Sequence, residues 1–246
     1  MEHFQCGYAA QELRSDRARD NFAFVRQLEK SFRGHRLYDH PLNLALAEGK
    51  LDGGPLRFVL TQMFQMIEPY TAMLALLAGR APDLRSRHVI FDNLYEEMGR
   101  GALASAHPSL WLRFLESIGV PTAHARAEAP IGSIARMNAR MREAVLMESF
   151  PAACAWISFS ELPIPNIFGY LIRAVERCFC RVVVDMEFFD RHGARDEGHA
   201  EDTTLLIAMH ADPGDWPALE REARSALELR AEVWDELHEL CLTGRA

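Results

Sequence analysis

No apolar run in this chain is long enough to cross a bilayer. The most apolar long stretch, Phe58 to Leu77, is broken by Gln62, Gln65 and Glu68, and such groups are expensive at membrane depth. Clustered positive charge is also missing. Lys and Arg are scattered, the net charge is −8 and the pI is about 5.7. That excludes the basic footprint through which a protein displaces counterions from nucleic acid, and it offers nothing to an anionic membrane surface. The N-terminus M-E-H-F-Q-C-G-Y-A-A has no basic segment followed by an apolar one, so no secretory signal is predicted and a cytoplasmic location is expected.

Cysteine is sparse and odd in number: Cys6, Cys154, Cys178, Cys180 and Cys241, with no C-x-x-C pair. A disulfide framework is thereby excluded in a reducing compartment, and these residues read as small apolar fillers. Cys178 and Cys180, two apart, fall on different sides of a helix and would not share a metal. There is no Gly/Ser linker, charge block, low-complexity tract or internal repeat, so residues 1–246 are expected to form one domain. Sustained alternation is absent, and Val182-Val183-Val184 is the only β-branched run.

What the chain does have is apolar content, 49% of 246 residues, arranged with helical periodicity. Helices are predicted over about 11–32, 40–48, 55–78, 82–99, 107–119, 133–148, 150–162, 164–180, 182–209 and 216–242. Gly49 marks a stop, Pro55 and Pro108 mark starts, and Pro163 and Pro165 separate two of the rods. A polar, Ala-rich connector is predicted after Pro121. The fold class that follows is all-α, one domain of about seven to nine helices.

The most informative stretch is F-F-D-R-H-G-A-R-D-E-G-H-A-E-D. Its His192, Asp196 and His199 stand at i, i+4 and i+7, within about 60° of one another on a helix face. Two imidazoles and a carboxylate on one face make a half-site for a divalent first-row metal, and iron is the usual user of such mixed N/O ligands. A polar face with ordinary surface histidines is the alternative. Gly193 and Gly198 each cost this helix about 1 kcal/mol against Ala, which predicts a pliable ligand segment.

A second half-site is expected at N-L-Y-E-E-M-G-R-G. Glu97 stands near a helix end, and His107 follows ten residues later. Gly99 and Gly101 let the chain turn so that the imidazole comes back to the carboxylate. A solvated Glu96-Glu97 pair and a helix-start His107 are the alternatives. Glu161 is a lone acid in the nearly uncharged P-A-A-C-A-W-I-S-F-S-E-L-P-I-P, and a lone carboxylate there is costly to bury unless paired or bound to a cation. Glu68 precedes Pro69, which should kink its helix and leave the Gln65 carbonyl without its amide donor. The kink would aim Glu68 inward, or leave it as an edge carboxylate.

The ordered set Glu97, His107, Glu161, His192, Asp196 and His199 resembles the ligand signature of the heme-oxygenase-like diiron oxidases and oxygenases. The approach N-L-x-E-E-x-G-x-G and the segment H-R-L-Y-D-H-P-L-N-L-A-L-A-E-G-K-L share the likeness, which covers about residues 35–210. The resemblance implies a heme-oxygenase-like bundle of about seven core helices, like that of TenA-type thiaminases. Residues 1–34 would form an N-terminal helix, 35–210 the metal-binding core and 211–246 a C-terminal helix. It also implies two iron ions cycling between Fe(II) and Fe(III), O2 as co-substrate, and a small-molecule substrate. It allows an external electron donor, a reductase or chemical reductant, and a homodimer.

The Glu97–His107 spacing is similar to that of members that oxygenate amine nitrogens, some of which use a further carboxylate, for which Glu68 is the candidate. Two ferrous ions against Glu97, Glu161 and Asp196 leave one positive charge, and Glu68 would neutralise it. The expected activity is oxidation of a small amine- or amino-acid-derived metabolite, foremost N-oxygenation in natural-product biosynthesis. Oxidative C–C cleavage, decarboxylation or desaturation of an amino or fatty acid is the nearest competitor. A cofactorless, cysteine-dependent thiaminase-like enzyme is a different class. A ferritin-like iron handler would need paired E-x-x-H motifs, which this chain lacks, and a helical interaction module would leave six ordered ligand types to coincidence. Phe64, Tyr70, Trp111, Trp156 and Phe189 are candidates for an aromatic pocket, although helical aromatics are more often core. Arg195 is either a carboxylate contact or a solvated cation.

Overall fold

A helix that is apolar on every side must be enclosed by others, and F-P-A-A-C-A-W-I-S-F-S-E is such a helix. The computed structural model describes residues 13, 15–51, 53–193 and 196–244, with the side chains of 192–200 outside that description. In chain order the helices are α1 (Asp16–Ser31), α2 (Pro41–Glu48), α3 (Gly53–Arg80), α4 (Leu84–Glu97), α5 (His107–Ser117) and α6 (Thr122–Ala127). They continue as α7 (Gly132–Met147), α8 (Phe150–Glu161), α9 (Ile164–Cys178), α10 (Glu187–Gly193), α11 (Asp196–His210) and α12 (Trp216–Leu242). No strand occurs among the described residues.

The apolar α8 is the axis. Pro151 through Ser160 are all buried, and α3, α7, α11 and α12 pack around it. The long α3 also carries α4, α5 and α7; α1 covers α11, α2 joins α9 to α12, and α10 lies on α5 and α9. Trp111, Trp156 and Trp234 are fully enclosed. Trp111 and Trp234 donate their indole N–H to Leu60 O and Asn43 Oδ1 at 3.0 and 2.8 Å, whereas the buried Trp156 Nε1 finds no hydrogen-bond partner among the described residues.

Local chemistry sets the ends. Asp83 caps α4 by accepting the Ser86 N–H at 2.8 Å, and the His40 Nδ1 accepts the Leu42 N–H at 3.1 Å with Pro41 in the first turn of α2. Gly49 closes α2 at φ 70°, a left-handed conformation that suits glycine. Pro69 lies inside α3 and leaves the Gln65 carbonyl without an intrahelical donor. Asn138 on α7 fills that role, donating its side-chain amide to Gln65 O at 2.8 Å.

Two expectations are corrected. The connector after Pro121 contains the short α6, onto which α3 reaches when Gln65 donates to Ala125 O at 2.9 Å. The helix predicted over 182–209 begins instead at Glu187 and is written as α10 and α11, with 194 and 195 outside the described residues. The reason lies at Asp185. Its N–H donates to Ser117 Oγ at 3.0 Å and its carboxylate is held by Arg113 at 2.8 Å, which ties the preceding chain to α5. Its Oδ1 then accepts the Glu187 N–H at 3.2 Å as a new start signal.

Candidate metal centre

Three helix ends deliver the described part of the site. Glu97 is the last residue of α4, where Gly99, Arg100 and Gly101 follow at φ 75°, 53° and 89°. This left-handed turn reverses the chain within a few residues. A Cβ on Gly99 would come 2.4 Å from the Ala102 carbonyl and the Ala106 amide, so only glycine fits. The reversal places His107, the first residue of α5, with Nδ1 2.6 Å from Glu97 Oε2, the two side chains 12% and 9% exposed. The return of the imidazole to the carboxylate, expected from the two glycines, is what the backbone does. Glu96 instead turns to the surface and pairs with Arg100.

Glu161 ends α8, and Tyr70 on α3 donates its hydroxyl to Glu161 Oε1. Glu97, His107, Glu161, Tyr70, Ser160 and Arg230 share one cavity of about 100 Å³, lined otherwise by Met63, Met66, Ile67, Ile164, Phe168 and Phe188. The Phe188 edge meets the His107 ring at 5.7 Å between centroids and 72° between planes, which limits rotation of the imidazole. Burial first, then the charges of Glu161 and Glu97, hold the Tyr70 hydroxyl well above the usual phenol range, so it stays a donor. Burial pulls Arg230 down to about 10, with Tyr70 and Glu161 opposing the shift; it remains a cation at neutral pH.

Of the residues singled out in the sequence, Glu97, His107 and Glu161 are brought to one cavity. The side chains of His192, Asp196 and His199 lie outside the described residues. Their helices are placed: α10 packs on α5, which His107 begins, and α11 packs on α8 and α4, which Glu161 and Glu97 end. Among the described residues no three ligand-type side chains close around one point. The described donors are nevertheless hard carboxylate oxygens and a borderline imidazole in a largely apolar cavity, a set that fits iron.

Glu68 is not brought to this cavity. It faces outward, 3.9 Å from Arg126, with both side chains more than half exposed. The reason is helix phase. Met66, Ile67 and Tyr70 face the cavity, and at about 100° per residue position 68 points about 100° to 160° away from each. Of the five aromatics weighed for a pocket, Phe64, Trp111, Trp156 and Phe189 are core, the commoner place for helical aromatics, and Tyr70 alone of that set lines the cavity. Arg195 lies outside the described residues.

The residues missed in the sequence are Phe168, Phe188 and above all Arg230. A signal for the last exists, because Arg230 interrupts the apolar stripe Leu219, Ala223, Ala226, Leu227, Trp234 and Leu237 of α12 at a core position.

The iron-containing redox enzymes match this chain over residues 57–235, well beyond half its length. The chain belongs to that family. A curated relative, the 4-aminobenzoate synthase of Nitrosomonas europaea, is 25% identical over 228 residues, 88% of this chain and 91% of that protein. Among solved structures, a CADD-like protein from Nostoc punctiforme superposes with TM-score 0.77 at 14% identity, covering 91% of this chain and 99% of that one. A Shewanella denitrificans domain with a heme-oxygenase-like fold gives 0.71 at 14% identity, covering 95% and 96%. A TenA homologue from Pseudomonas syringae gives 0.69 at 11% identity, covering 92% and 93%. These likenesses establish the fold, an all-α heme-oxygenase-like bundle. In the frame of this iron-containing family, the Glu97–His107 contact and Glu161 across the cavity are the natural places to seek the metal. No helix among the described residues is long and apolar enough to cross a membrane.

Proposed function

We propose that this member of the iron-containing redox enzymes is a non-haem diiron enzyme that uses O2 to oxidise a small amine- or amino-acid-derived metabolite, by N-oxygenation. The observation that carries the reading is the meeting of Glu97, His107 and Glu161 in the lining of one cavity. In this reading Glu97, His107, Glu161, His192, Asp196 and His199 hold two irons, which when bound supply the electrons that reduce dioxygen.

The chain's own groups do the rest. Tyr70 donates to Glu161 Oε1 and would orient that carboxylate as a ligand. Phe188 and the Glu97 contact orient the His107 ring. Met63, Met66, Ile67, Ile164 and Phe168 supply an apolar wall beside the reacting centre. The relative is named for making 4-aminobenzoate, a product that bears both an amine and an acid, and this supports chemistry on an amine-containing metabolite here. A cysteine nucleophile finds no support, since no described cysteine lines the cavity and burial pushes the Cys154 thiol above its ordinary value.

Oxidative C–C cleavage or decarboxylation by the same cluster is the second reading, favoured by a guanidinium in the cavity. The test is anaerobic iron loading followed by mixing with O2 beside candidate amines, amino acids and fatty acids. Two irons per chain, loss of iron in His192→Ala, and an N-oxygenated product are expected. A chain that binds no iron sinks the reading; a cleaved or decarboxylated product replaces N-oxygenation with the competitor.

A further inference from the structure

Among the described residues that line the cavity, Arg230 carries the one charge that the ligand set does not account for. It sits 8% exposed on the core face of α12, and its Nε is buried without a hydrogen-bond partner. No ion pair joins it to another described residue; the pairs formed within this bundle lie elsewhere. Glu222, eight residues earlier on α12, meets Arg140 at 2.5 Å and Arg221 at 3.1 Å. Among the described residues only Glu161, through its charge and without an ion pair, offsets this buried guanidinium. A buried charge so weakly compensated is destabilising, and its retention in a cavity points to an anionic partner that enters there.

We propose that Arg230 receives the carboxylate of the substrate, which makes the substrate a small aminocarboxylate held with its acid on α12 and its amine toward Glu97, His107 and Glu161. The inference rests on the proposed function and narrows its substrate class. Three observations carry it. The planar guanidinium fork matches a carboxylate in a bidentate manner and is more easily desolvated than an ammonium. Phe168, Phe188 and Tyr70 around about 100 Å³ suit a compact, flat apolar body between the two polar ends.

Charge supplies the third. With Glu68 on the outer surface, two ferrous ions and Arg230 set five positive charges against the three of Glu97, Glu161 and Asp196. An anionic ligand reduces that excess, and a neutral or cationic one does not.

The experiment is calorimetric titration under argon of the iron-treated full chain with matched pairs: 4-aminobenzoate and aniline, L-phenylalanine and phenethylamine, L-lysine and cadaverine. At least one acid is expected to bind wild type about 10- to 100-fold more tightly than its decarboxylated partner. Arg230→Gln should erase that preference while the amine-only partner keeps its affinity, and Arg230→Lys should retain part of it.

Wild type that prefers no acid, or an Arg230→Gln change that weakens both members of a pair equally, overturns the inference. Thermal unfolding of iron-free Arg230→Met adds a measurement independent of ligand. A midpoint no lower than wild type is expected, whereas a marked drop would assign Arg230 to the architecture and overturn the inference. Iron content is measured on the same samples, and the acid preference is scored whatever that content is. Absence of two irons counts against the proposed function, and two irons without an acid preference count against Arg230 alone.

Discussion

At Glu161 the Tyr70 hydroxyl bears on what the carboxylate can do. Tyr70 donates to Oε1 from a cavity wall, and partners of this kind orient ligands and tune their basicity. Tyr70→Phe is therefore expected to weaken iron binding about 10- to 100-fold, measured by chelator competition, with the fold unchanged by circular dichroism. Equal affinity in the variant would remove the hydroxyl from any orienting role. Gly99 is the other decisive residue. Its φ of 75° and the 2.4 Å approach of a Cβ to backbone leave an added methyl group nowhere to go. Gly99→Ala should destabilise the chain by more than about 1 kcal/mol. It should also lose iron, because His107 can no longer return to Glu97; denaturant midpoint and metal analysis check both.

At the scale of elements, α3 and α7 are joined by a repair. Pro69 removes one donor from α3 and Asn138 replaces it from α7. Asn138→Leu leaves the Gln65 carbonyl without that donor and should cost about 1–3 kcal/mol in urea unfolding. Pro69→Ala restores an amide at position 69, so the penalty of Asn138→Leu should largely vanish in that background. A double-mutant cycle with no coupling between the two sites would show that the carbonyl is satisfied otherwise. The same repair bears on the site, since α3 holds Tyr70 one residue past the proline.

For the whole molecule, acid should be destabilising through its buried imidazoles. His40 caps α2 through an unprotonated Nδ1 while Nε2 meets Asp235 Oδ1 at 3.0 Å. Burial holds its pKa below the ordinary imidazole value, with Asp235 opposing and Arg36 and His238 adding to the depression. Burial likewise lowers His210, with Asp83 opposing. Because both native values lie below the unfolded one, the unfolded chain takes up protons first as the pH falls through about 6.5. Stability is then lost down to the depressed native values. The midpoint of iron-free protein is expected to fall between about pH 7.5 and 5.5, and less so in His40→Asn, which keeps a cap without titrating. Identical slopes in the two proteins would relieve His40 of that role.

Much of this molecule was legible in the chain itself, for local reasons. The helix class, the caps at Asp83 and Gly49, the stripped carbonyl at Gln65 and the turn that brings His107 to Glu97 depend on neighbours a few residues away. The anomaly of Glu161 was likewise visible, because a lone charge in an apolar segment must find company. What only the tertiary structure decided was which face of each rod meets the cavity. Periodicity says which residues share a face, but not what lies opposite it. So Glu68, beside a proline and among apolar residues, turned outward with the phase of α3. The start of α10 was set by Arg113 and Ser117 of α5, reaching Asp185 from about seventy residues away in the chain. Arg230, one cation in a stripe of alanines and leucines, acquired its meaning when α12 laid that stripe against α8 and the cavity at its end.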